Sequence, residues 1–478
     1  MDAAAFRAHG HELVDWIAEY LEHSERYPVL ARVKPGEITA SLPSQAPEDP
    51  EPFEAVMADF ERVLVPGLTH WNHPGFFAYF AITASAPGVL ADFLASALNQ
   101  QAMLWRTSPA ATELEGVSLG WLRTLLGLPD AFEGVIYDTA SIATLHAVVA
   151  ARQAAIADVR TKGLAGRPDV PPLGVYCSDQ AHSATDKAAI AAGLGHEAVV
   201  KIEVDDEFRM RPDRLSAAID ADRKAGRLPI AVVATVGTTS TTSVDPVPAI
   251  AEVCSRERLW LHVDAAYGGV AAMVPSHRHV LDGVDRADSV VVNPHKWLFT
   301  PFDLSAFYCR RMDVVREAFA LTPEFLQTSD RERRWNLMDT GIQLGRRFRA
   351  LKLWMILRTF GARAIREHLD AHMRLARQLA QWIDEHPDFE RLAPVPFSVV
   401  CFRWRPADRE LSHADLDAAN ARLLDKVNDT GEVFLSHTRL RGRVVLRVAI
   451  GHLQTEERHV ARAWALLQQH AEGLGIRD

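Results

Sequence analysis

The sequence predicts an α/β fold whose central sheet is mostly parallel, with a helical segment before it and a smaller α+β domain after it. Three features support this class. Short apolar and β-branched runs recur between about residues 131 and 310, and helical stretches separate them. The runs are apolar throughout, which is typical of parallel strands covered by helices on both faces. Beyond about residue 351, helical stretches mix with fewer strands.

The N-terminal part has the pattern of a helix followed by an extended connector. Asp2 is suited to cap a helix, because its carboxylate can accept hydrogen bonds from first-turn N–H groups. Apolar side chains then recur at helical spacing, at Leu13, Val14, Ile17, Tyr20 and Leu21. The stretch S-L-P-S-Q-A-P-E-D-P-E-P-F at residues 41 to 53 is punctuated by proline and cannot form regular helix. We expect this segment to lie over a neighbouring subunit.

The remaining elements follow in order along the chain. Strands are predicted at residues 134 to 136, 173 to 177, 230 to 236, 260 to 263 and 289 to 292. Helices between them are predicted at 141 to 158 and 247 to 256. The C-terminal part has predicted helices at 361 to 385, 413 to 428 and 455 to 472, and strands at 397 to 403 and 443 to 449. We expect three parts, comprising an N-terminal helical segment, a large α/β domain and a small α+β domain, at residues 1–83, 84–350 and 351–478.

Composition restricts the kind of partner. The chain has 478 residues, of which 48% are apolar and 24% charged, an ordinary globular composition. Its formal net charge of −10 argues against nucleic acid or an anionic membrane as a partner, because both are bound through excess Lys and Arg. The four cysteines form no C-x-x-C pair, and we recognise neither a signal peptide nor a membrane span. We therefore expect a cytoplasmic protein that acts on small molecules.

Four polar groups follow predicted strands at the edge where such sheets bind ligands. They are Asp264 after W-L-H-V, Thr239 after A-V-V-A-T-V-G, Lys296 after S-V-V-V-N-P-H, and the T-A-S turn at residues 139 to 141. Ser141 begins an Ala-rich helix, whose N-terminal N–H groups and dipole can hold a phosphate. A lysine, a carboxylate and a phosphate site at one edge suggest pyridoxal 5'-phosphate (PLP).

Each of these residue types has a chemical reason to be there. A lysine supplies the amine of a Schiff base, and an aspartate keeps the pyridine nitrogen protonated, so that the ring can accept electrons. Asn293, in the loop before the lysine, is a further candidate for binding phosphate. Singly, each signal has an ordinary explanation, since such residues are usually solvated, form turns or cap helices. Their joint occurrence in one α/β segment favours a PLP site over these ordinary roles.

Longer motifs add a family resemblance. The stretches T-H-W-N-H-P-G-F-F-A-Y-F, S-D-Q-A-H-S, H-V-D-A-A-Y, N-P-H-K-W and L-G-R-R-F-R-A-L-K-L-W resemble the group II PLP-dependent decarboxylases. The resemblance is strongest to the aromatic L-amino-acid decarboxylases that act on DOPA or tryptophan, and it extends from about residue 1 to 470. It implies PLP fold type I, the aspartate aminotransferase-like fold. It also implies a homodimer in which the N-terminal segment wraps the partner and the active sites lie at the interface.

The resemblance assigns roles to individual residues. Lys296 corresponds to the Schiff-base lysine and Asp264 to the partner of the pyridine nitrogen. Ala266 is expected to pack against one face of the ring, and His182 to stack on the other; without its D-Q-A-H-S context, His182 would more simply be an exposed loop histidine. Further cofactor-binding positions are Ala140, Ser141, Thr239, Asn293 and His295.

The sequence departs from the decarboxylases at one position that affects the product. The family carries a tyrosine in a D-P-x-Y-L context, whose hydroxyl serves in returning a proton to the substrate carbon, whereas this chain reads T-P-E-F-L, with Phe325. A phenyl ring cannot donate a proton. In related aromatic aldehyde synthases, the same replacement lets the decarboxylated intermediate react with dioxygen, which yields an aldehyde, ammonia and hydrogen peroxide. If His182 or a water returns the proton instead, the product is the amine, and both outcomes stay open.

The expected substrate pocket also differs in part from that of the DOPA decarboxylases. Trp71, Tyr79 and Phe80 match the family's aromatic wall, but Ala81 and Ile82 stand where those enzymes carry Pro-Thr. Loss of the threonine removes a hydrogen-bond partner for a catechol and favours phenylalanine or tryptophan. Gly345 leaves room for an indole, as in relatives that act on tryptophan. The remaining expected substrate-binding residues are His182 and, near the lining contributed by the partner subunit, Gln101 and Met103.

Two other classes of function remain as alternatives. One is a different chemistry on the same PLP fold, such as transamination or desulfurisation, and the other is a catalytically silent PLP-binding paralogue. A metal enzyme is not favoured. His368 and His372 stand at i and i+4 of a predicted helix, but the glutamate of H-E-x-x-H is missing. We expect these histidines to lie on a surface face of the helix.

Overall fold

The computed structural model describes residues 1–321, 336–408 and 410–473. By their internal contacts, the residues divide into two units. The larger unit comprises Ile82–Ala380 and Leu392–Cys401, and the smaller unit comprises Met1–Ala81, Gln381–Arg391 and Phe402–Asp478. By this division, residues 1–81 share a unit with C-terminal elements.

The larger unit is built on a seven-stranded sheet. Its strands are β1 Glu133–Tyr137, β2 Leu173–Ser178, β3 Val199–Ile202, β4 Leu228–Thr235, β5 Trp260–Asp264, β6 Ser289–Val292 and β7 Ser305–Cys309. Their order across the sheet is β1-β7-β6-β5-β4-β2-β3. Neighbouring strands from β6 to β3 are parallel, and β7 is antiparallel to both of its neighbours. The expectation of a mostly parallel sheet is confirmed.

The larger unit also contains ten α-helices within the described residues. They are α4 Ala86–Leu98, α5 Pro109–Leu126, α6 Ala140–Ala155, α7 Val159–Lys162, α8 Ala184–Ala191, α9 Pro212–Lys224, α10 Val247–Glu257, α11 Pro294–Trp297, α12 Met312–Phe319 and most of α13 Ala350–Glu385. Several of them, such as α6, α9 and α10, pack on this sheet. Helix α6 is central, because its buried alanines and valines pack with β-strand residues such as Val175, Val233 and Phe307 in one core. Gly361 interrupts α13 with a φ of 71°, which agrees with the helix expected to start at that residue.

The smaller unit combines helices with part of a second sheet. Its helices are α1 Ala3–Glu22, α2 Glu37–Ser41, α3 Phe53–Asp59, α14 His413–Asp429 and α15 Glu457–Glu472. Its strands are β8 Phe389–Arg391, the end of β9 Val399–Trp404, β10 Ser436–Leu440 and β11 Arg443–Ala449. The sheet order is β10-β11-β9-β8. Backbone bonds tie the N-terminal segment to this unit, since Phe77 donates to the Phe434 carbonyl at 2.8 Å and accepts from Ala449 at 2.9 Å.

Short helical turns complete the described ranges. The 3-10 helices are Ser24–Arg26, Val65–Gly67, Trp105–Thr107, His196–Ala198, Gly268–Met273, Pro275–Leu281, Val284–Arg286 and Leu337–Thr340, and Phe60–Leu64 is a π-helix. None of the helices in the described ranges combines the length and the apolar character needed to cross a bilayer.

The predicted N-terminal elements are confirmed. Asp2 caps α1, because its Oδ1 accepts from the N–H groups of Ala4 and Ala5 at 3.0 and 2.8 Å. Of the proline-rich stretch 41 to 53, residues 42 to 52 carry neither helix nor strand, as predicted, whereas Ser41 ends α2 and Phe53 begins α3. The strands that the sequence did not predict are β3, β7, β8 and β10. Strand β8 is only three residues long, and β10, with the sequence S-H-T-R-L, alternates polar residues.

Candidate active site

Asp264 ends β5 at the carboxyl edge of the sheet. It pairs with Thr235 of β4 and with Val291 of β6, both near the same edge. The residue is only 9% exposed. One carboxylate oxygen, Oδ1, accepts the N–H of Ala266 at 3.0 Å, so a backbone contact orients the carboxylate. The sequence prediction that places Asp264 at the strand end is confirmed.

Lys296 lies in α11, which follows β6 at the same edge. Its N–H donates to the Asn293 carbonyl at 2.9 Å, and the Asn293 N–H donates to the Ala266 carbonyl at 3.1 Å. The turn that carries Lys296 is therefore bonded to the turn that follows Asp264. The two residues that the sequence paired for PLP are brought to one place in the fold.

His182 lies in the electrostatic field of both residues. Although the residue is exposed overall, the protein atoms packed around its ring lower its pKa by burial; Asp264 opposes this effect and Lys296 adds to it. Nδ1 accepts the N–H of Ala184 at 3.1 Å. A neutral imidazole that accepts at Nδ1 carries its proton on Nε2. His182 therefore has its N–H donor at Nε2.

The start of α6 supplies an anion site at this edge. Ala140 and Ser141 form its first turn after the N-cap Thr139, and Ser141 is exposed. First-turn N–H groups of a helix have no intrahelical acceptor, and the helix dipole favours negative charge there. Helix α6 directly follows β1, and β1 and β6 are both antiparallel to β7 and so run in the same direction, which places the N-terminus of α6 at the carboxyl edge of the parallel strands. This placement fits the phosphate role predicted for both residues.

Thr239 lies in a hydrogen-bonded loop after β4. The loop is held by hydroxyl contacts, including Thr238 Oγ1 to Thr241 Oγ1 at 3.1 Å and Thr241 Oγ1 to Ser243 Oγ at 2.8 Å. Gly237 has a φ of +95°, and a Cβ there would lie 2.9 Å from the nitrogen of Gly268. Glycine is needed because the loop after β4 touches the backbone that follows β5. Thr239 itself is exposed.

Asn293 and His295, both predicted to bind cofactor, are buried and already hold the backbone in place. The side-chain oxygen of Asn293 accepts the Ser305 hydroxyl at 2.5 Å. Nδ1 of His295 accepts the N–H of Leu304 at 3.0 Å. Burial, together with the Lys296 charge, lowers the pKa of His295 to about 3, so the ring is neutral and carries its proton on Nε2. Both side chains support the loops on either side of Lys296.

Three of the predicted substrate residues lie on segments of the larger unit that are hydrogen-bonded to one another. The Arg346 N–H donates to Gln101 Oε1 at 2.7 Å, and a Cβ at Gly345 would lie 3.3 Å from Gln101 Nε2. The carbonyl of Met103 accepts the Met338 N–H at 2.9 Å. The segment around Gly345 is thus anchored on the chain around Gln101 and Met103. Ile82, the first residue of this unit, is half-buried.

The other predicted substrate residues cluster in the smaller unit. Trp71 and Tyr79 stack with ring centroids 5.8 Å apart, and they are 37% and 56% exposed. The guanidinium of Arg447 lies 4.6 Å from the centre of the Phe80 ring, a cation–π distance. Arg447 also donates to the Tyr79 carbonyl, which holds this residue at its φ of 50°. The structure therefore brings the three aromatic residues together.

One predicted residue cannot be placed, and one expectation is wrong. Phe325 lies outside the described residues. His372 does not lie on a surface face, because it is only 1% exposed and its Nδ1 accepts the indole N–H of Trp297 at 3.0 Å. Within the described residues, no group of three or more His, Cys, Asp or Glu side chains could hold a metal ion.

Sequence reasoning missed a buried cation next to the lysine loop. Lys352 is 2% exposed, and its ammonium donates to the carbonyls of Pro301 and Asp303, each at 3.1 Å. It also pairs with Asp92 at 3.2 Å, while Arg349 pairs with the Asp303 carboxylate at 2.8 Å. These contacts hold the chain that follows Lys296. An apolar helix pattern interrupted by Lys352 was the only sequence signal.

The donor set at this edge fits PLP. An amine, a buried carboxylate and a helix N-terminus with an exposed hydroxyl correspond to the aldehyde, the pyridine nitrogen and the phosphate of the cofactor. Ala266 beside Asp264 is small enough to let a flat ring approach. The site thus contains each group that the cofactor needs.

Comparison with known proteins agrees with this chemistry. Residues 35–405 match the pyridoxal-dependent decarboxylase conserved domain. The chain is 40% identical to a phenylacetaldehyde synthase of Arabidopsis thaliana, with 99% of this chain and 97% of the relative covered. It is also 40% identical to tryptophan decarboxylase 2 of Oryza sativa subsp. japonica, with 98% and 95% covered. The crystal structure of Oryza sativa TDC with PLP and tryptamine superposes with a TM-score of 0.95 at 39% identity and covers 99% of both chains.

Proposed function

The chain belongs to the pyridoxal-dependent decarboxylase family, and from that premise we propose that it decarboxylates aromatic L-amino acids such as phenylalanine or tryptophan. PLP is its cofactor and fold type I is its fold. One observation carries the proposal: Asp264 and Lys296 lie on hydrogen-bonded turns at one edge of the sheet, and both affect the pKa of His182. The relatives that share this architecture over nearly the whole chain are named for aromatic amino acids or aromatic aldehydes, which supports the substrate class.

We assign each residue a role in this chemistry. PLP, when bound, accepts the electron pair left by the departing carboxylate. Lys296 provides the amine that holds the cofactor covalently, and Asp264 holds the proton on the pyridine nitrogen. The N-terminus of α6, with Ser141, binds the phosphate. His182 presents Nε2–H toward the cofactor and can hold or pass a proton there.

The alternative product is the aromatic aldehyde. Phe325 replaces the tyrosine that serves in proton return, and dioxygen would then be a co-substrate, with ammonia and hydrogen peroxide released. The 40% identity to a phenylacetaldehyde synthase supports this branch, while equally similar relatives are decarboxylases. The substrate class is common to both branches.

A product analysis tests the function. The purified enzyme, loaded with PLP, is incubated with phenylalanine, tryptophan, tyrosine or DOPA, and carbon dioxide, amine, aldehyde and peroxide are measured. We expect carbon dioxide from phenylalanine or tryptophan. Peroxide equal to carbon dioxide would establish the aldehyde branch, and amine without peroxide would exclude it. No carbon dioxide from any of the four amino acids would refute the proposal.

Lys296→Ala should abolish covalent cofactor binding. The visible absorbance of lysine-bound PLP should disappear, because no amine remains at that position to form the bond. Lys187→Ala is the matched control, since this exposed lysine also contributes to the electrostatic field at His182. It should keep the band. Persistence of the band in Lys296→Ala would reject the site assignment.

Phe325→Tyr tests which residue controls the product. A tyrosine hydroxyl can donate a proton to the substrate carbon, whereas the phenyl ring cannot. The ratio of amine to aldehyde should therefore rise in the variant. Phe325→Leu serves as control, because it changes the shape without adding a proton donor. An equal ratio in the parent and the tyrosine variant would show that this position does not control proton return.

We also propose that the protein acts as a homodimer in the cytoplasm. Helix α4 exposes an apolar face made of Leu90, Phe93, Leu94 and Leu98, which supports self-association. All four cysteines are free and buried, which suits a reducing compartment.

A further inference from the structure

Two aromatic rings lie directly beside the proposed cofactor residues. Tyr267 follows Asp264 by three residues, and Trp297 follows Lys296 directly. Their rings stack with centroids 4.8 Å apart and an angle of 7° between the planes. They are 2% and 0% exposed. This aromatic stack, defined as Tyr267 and Trp297, joins the turn after Asp264 to the turn that carries Lys296.

Both rings of the aromatic stack are fixed at their polar ends. The Tyr267 hydroxyl is hydrogen-bonded to the Ser398 hydroxyl at 2.5 Å. The Trp297 indole N–H donates to Nδ1 of His372 at 3.0 Å. Because an indole N–H can only donate, His372 must present a lone pair at Nδ1. A protonated ring, or one with its proton on Nδ1, could not accept this bond.

The hydrogen bond selects the orientation of the indole. Apolar contact would allow a flat ring to turn over, but a buried N–H without an acceptor is strongly disfavoured. Phe397 packs edge-on against Trp297, with centroids 6.3 Å apart and planes at 73°. Trp297 is therefore enclosed by Tyr267 on one face, Phe397 at an edge and His372 at its nitrogen. These contacts fix the position of the Trp297 side chain, and its backbone is joined directly to that of Lys296.

His372 reaches this position from helix α13. It is 1% exposed, one helical turn beyond the half-buried His368. The ring of His368 packs edge-on against Phe299, with centroids 5.6 Å apart. The two histidines share a helix face, but the contact with the aromatic stack that is described above belongs to His372.

We propose that His372 is a positioning residue for Lys296. By accepting the indole N–H, it holds Trp297 flat on Tyr267 and so sets the reach of the Lys296 amine relative to the Asp264 carboxylate. His372 acts through Trp297 and does not touch the cofactor. The inference rests on the proposed role of Lys296 as the amine that binds PLP.

The test uses PLP-loaded enzyme and two variants that break the same bond from opposite ends. His372→Leu removes the acceptor, and Trp297→Phe keeps an aromatic ring for stacking but removes the donor. In each, kcat should fall roughly tenfold, the scale of one lost buried hydrogen bond, with KM changed less than about twofold. The visible circular dichroism of the bound cofactor should change, because it reports the orientation of the ring in the site. The double variant should be no worse than the poorer single variant.

Two further variants separate positioning from packing. His372→Asn places an amide oxygen near the position of Nδ1, so it should recover most of kcat and the parent dichroism. His368→Leu, one turn away on the same helix, should leave both unchanged. Thermal unfolding of all variants without cofactor measures any loss of stability separately. If His372→Leu matches His368→Leu in kcat and dichroism, or if the effects of the two single variants simply add, the proposal is wrong.

A separate experiment tests the premise that Lys296 binds PLP. Loss of the absorbance band in Lys296→Ala establishes that Lys296 carries the cofactor. If that band persists, the site assignment fails, whatever the His372 variants show. If the band is lost but the His372 variants retain the parent dichroism and kcat, only the positioning role fails.

Discussion

At the scale of single residues, the charge of Asp264 is the feature on which the proposed chemistry depends most. Asp264→Asn would keep the shape and an oxygen that accepts the Ala266 N–H, but it would remove the negative charge beside the pyridine nitrogen. We expect kcat to fall by roughly a hundredfold or more, the range found when a preorganised electrostatic contact is lost. Asp264→Glu, which keeps the charge, should retain more activity than the asparagine variant. Activity of Asp264→Asn within about twofold of the parent, with PLP bound, would contradict the assignment.

Single residues also show what the sequence can and cannot predict about the site. Asp264 and Lys296 were predictable because parallel strands deliver the residues after their carboxyl ends to one edge. The buried contact of His372 with Trp297 was not, since i and i+4 spacing tells which residues share a helix face but not what that face contacts. Lys352 was missed for the same reason. A lysine in a helix is normally solvated, and only the fold shows the carbonyls of Pro301 and Asp303 around it.

At the scale of elements, a buried ion pair ties the segment near Gly345 to helix α5. Arg346 donates to Glu115 Oε1 at 2.5 Å, with side chains 7% and 3% exposed, and Glu115 also accepts the Ile136 N–H at 2.8 Å. Glu115→Leu or Arg346→Met alone should lower the free energy of unfolding by about 3–5 kcal/mol, because each leaves an uncompensated buried charge. The double variant should lose less than either single one. Denaturant unfolding measures this, and equal losses in all three would contradict the prediction.

A second link between elements should respond to pH. Glu25, next to Arg458 of α15, has a pKa lowered to about 2, chiefly by its hydrogen bonds with Arg458. Because the folded pKa lies below the unfolded one, near 4.5, the pair stabilises above about pH 4.5, and this contribution is lost as pH falls toward 2. The Glu25 side chain is 44% exposed, so we expect less than about 1 kcal/mol.

Urea unfolding of Glu25→Gln across this pH range tests the link. The difference from the parent should be largest near neutral pH and should shrink as the solution becomes acidic. Glu22→Gln, an exposed change close by in the same unit, is the matched control and should show no such trend. A difference that grows on acidification would have the wrong sign.

At the scale of the whole molecule, the class of the fold was predictable but the order of its strands was not. Continuous apolar runs such as Leu228–Thr235 indicate buried parallel strands. Strand β7, however, lies antiparallel between β1 and β6. Its apolar residues do not distinguish an antiparallel strand from a parallel one, so the sequence shows neither its direction nor its neighbours. The second sheet was predicted only in part, because β10 is amphipathic and half exposed.

The exposed face of helix α4 predicts that the protein assembles into a dimer. Its outer face exposes Leu90, Phe93, Leu94 and Leu98, at 49%, 47%, 47% and 54%. Its only charged residue, Asp92, pairs with the buried Lys352 at 3.2 Å. An apolar helix face without charge is typical of the centre of an interface between subunits. A second copy of the chain is the partner that the family resemblance implies.

Leu94→Glu should therefore convert a dimer into a monomer, because it buries a charge in an apolar contact. Sedimentation should give the parent twice the mass of the 53.0 kDa chain and the variant a single chain. Ile190→Glu is the matched control, since this residue is 55% exposed but lies on α8, away from the α4 face; it should remain dimeric. A monomeric parent, or a Leu94→Glu variant as dimeric as the control, would contradict the assignment. Because the family resemblance implies active sites at the subunit interface, the monomer should also lose the proposed decarboxylase activity.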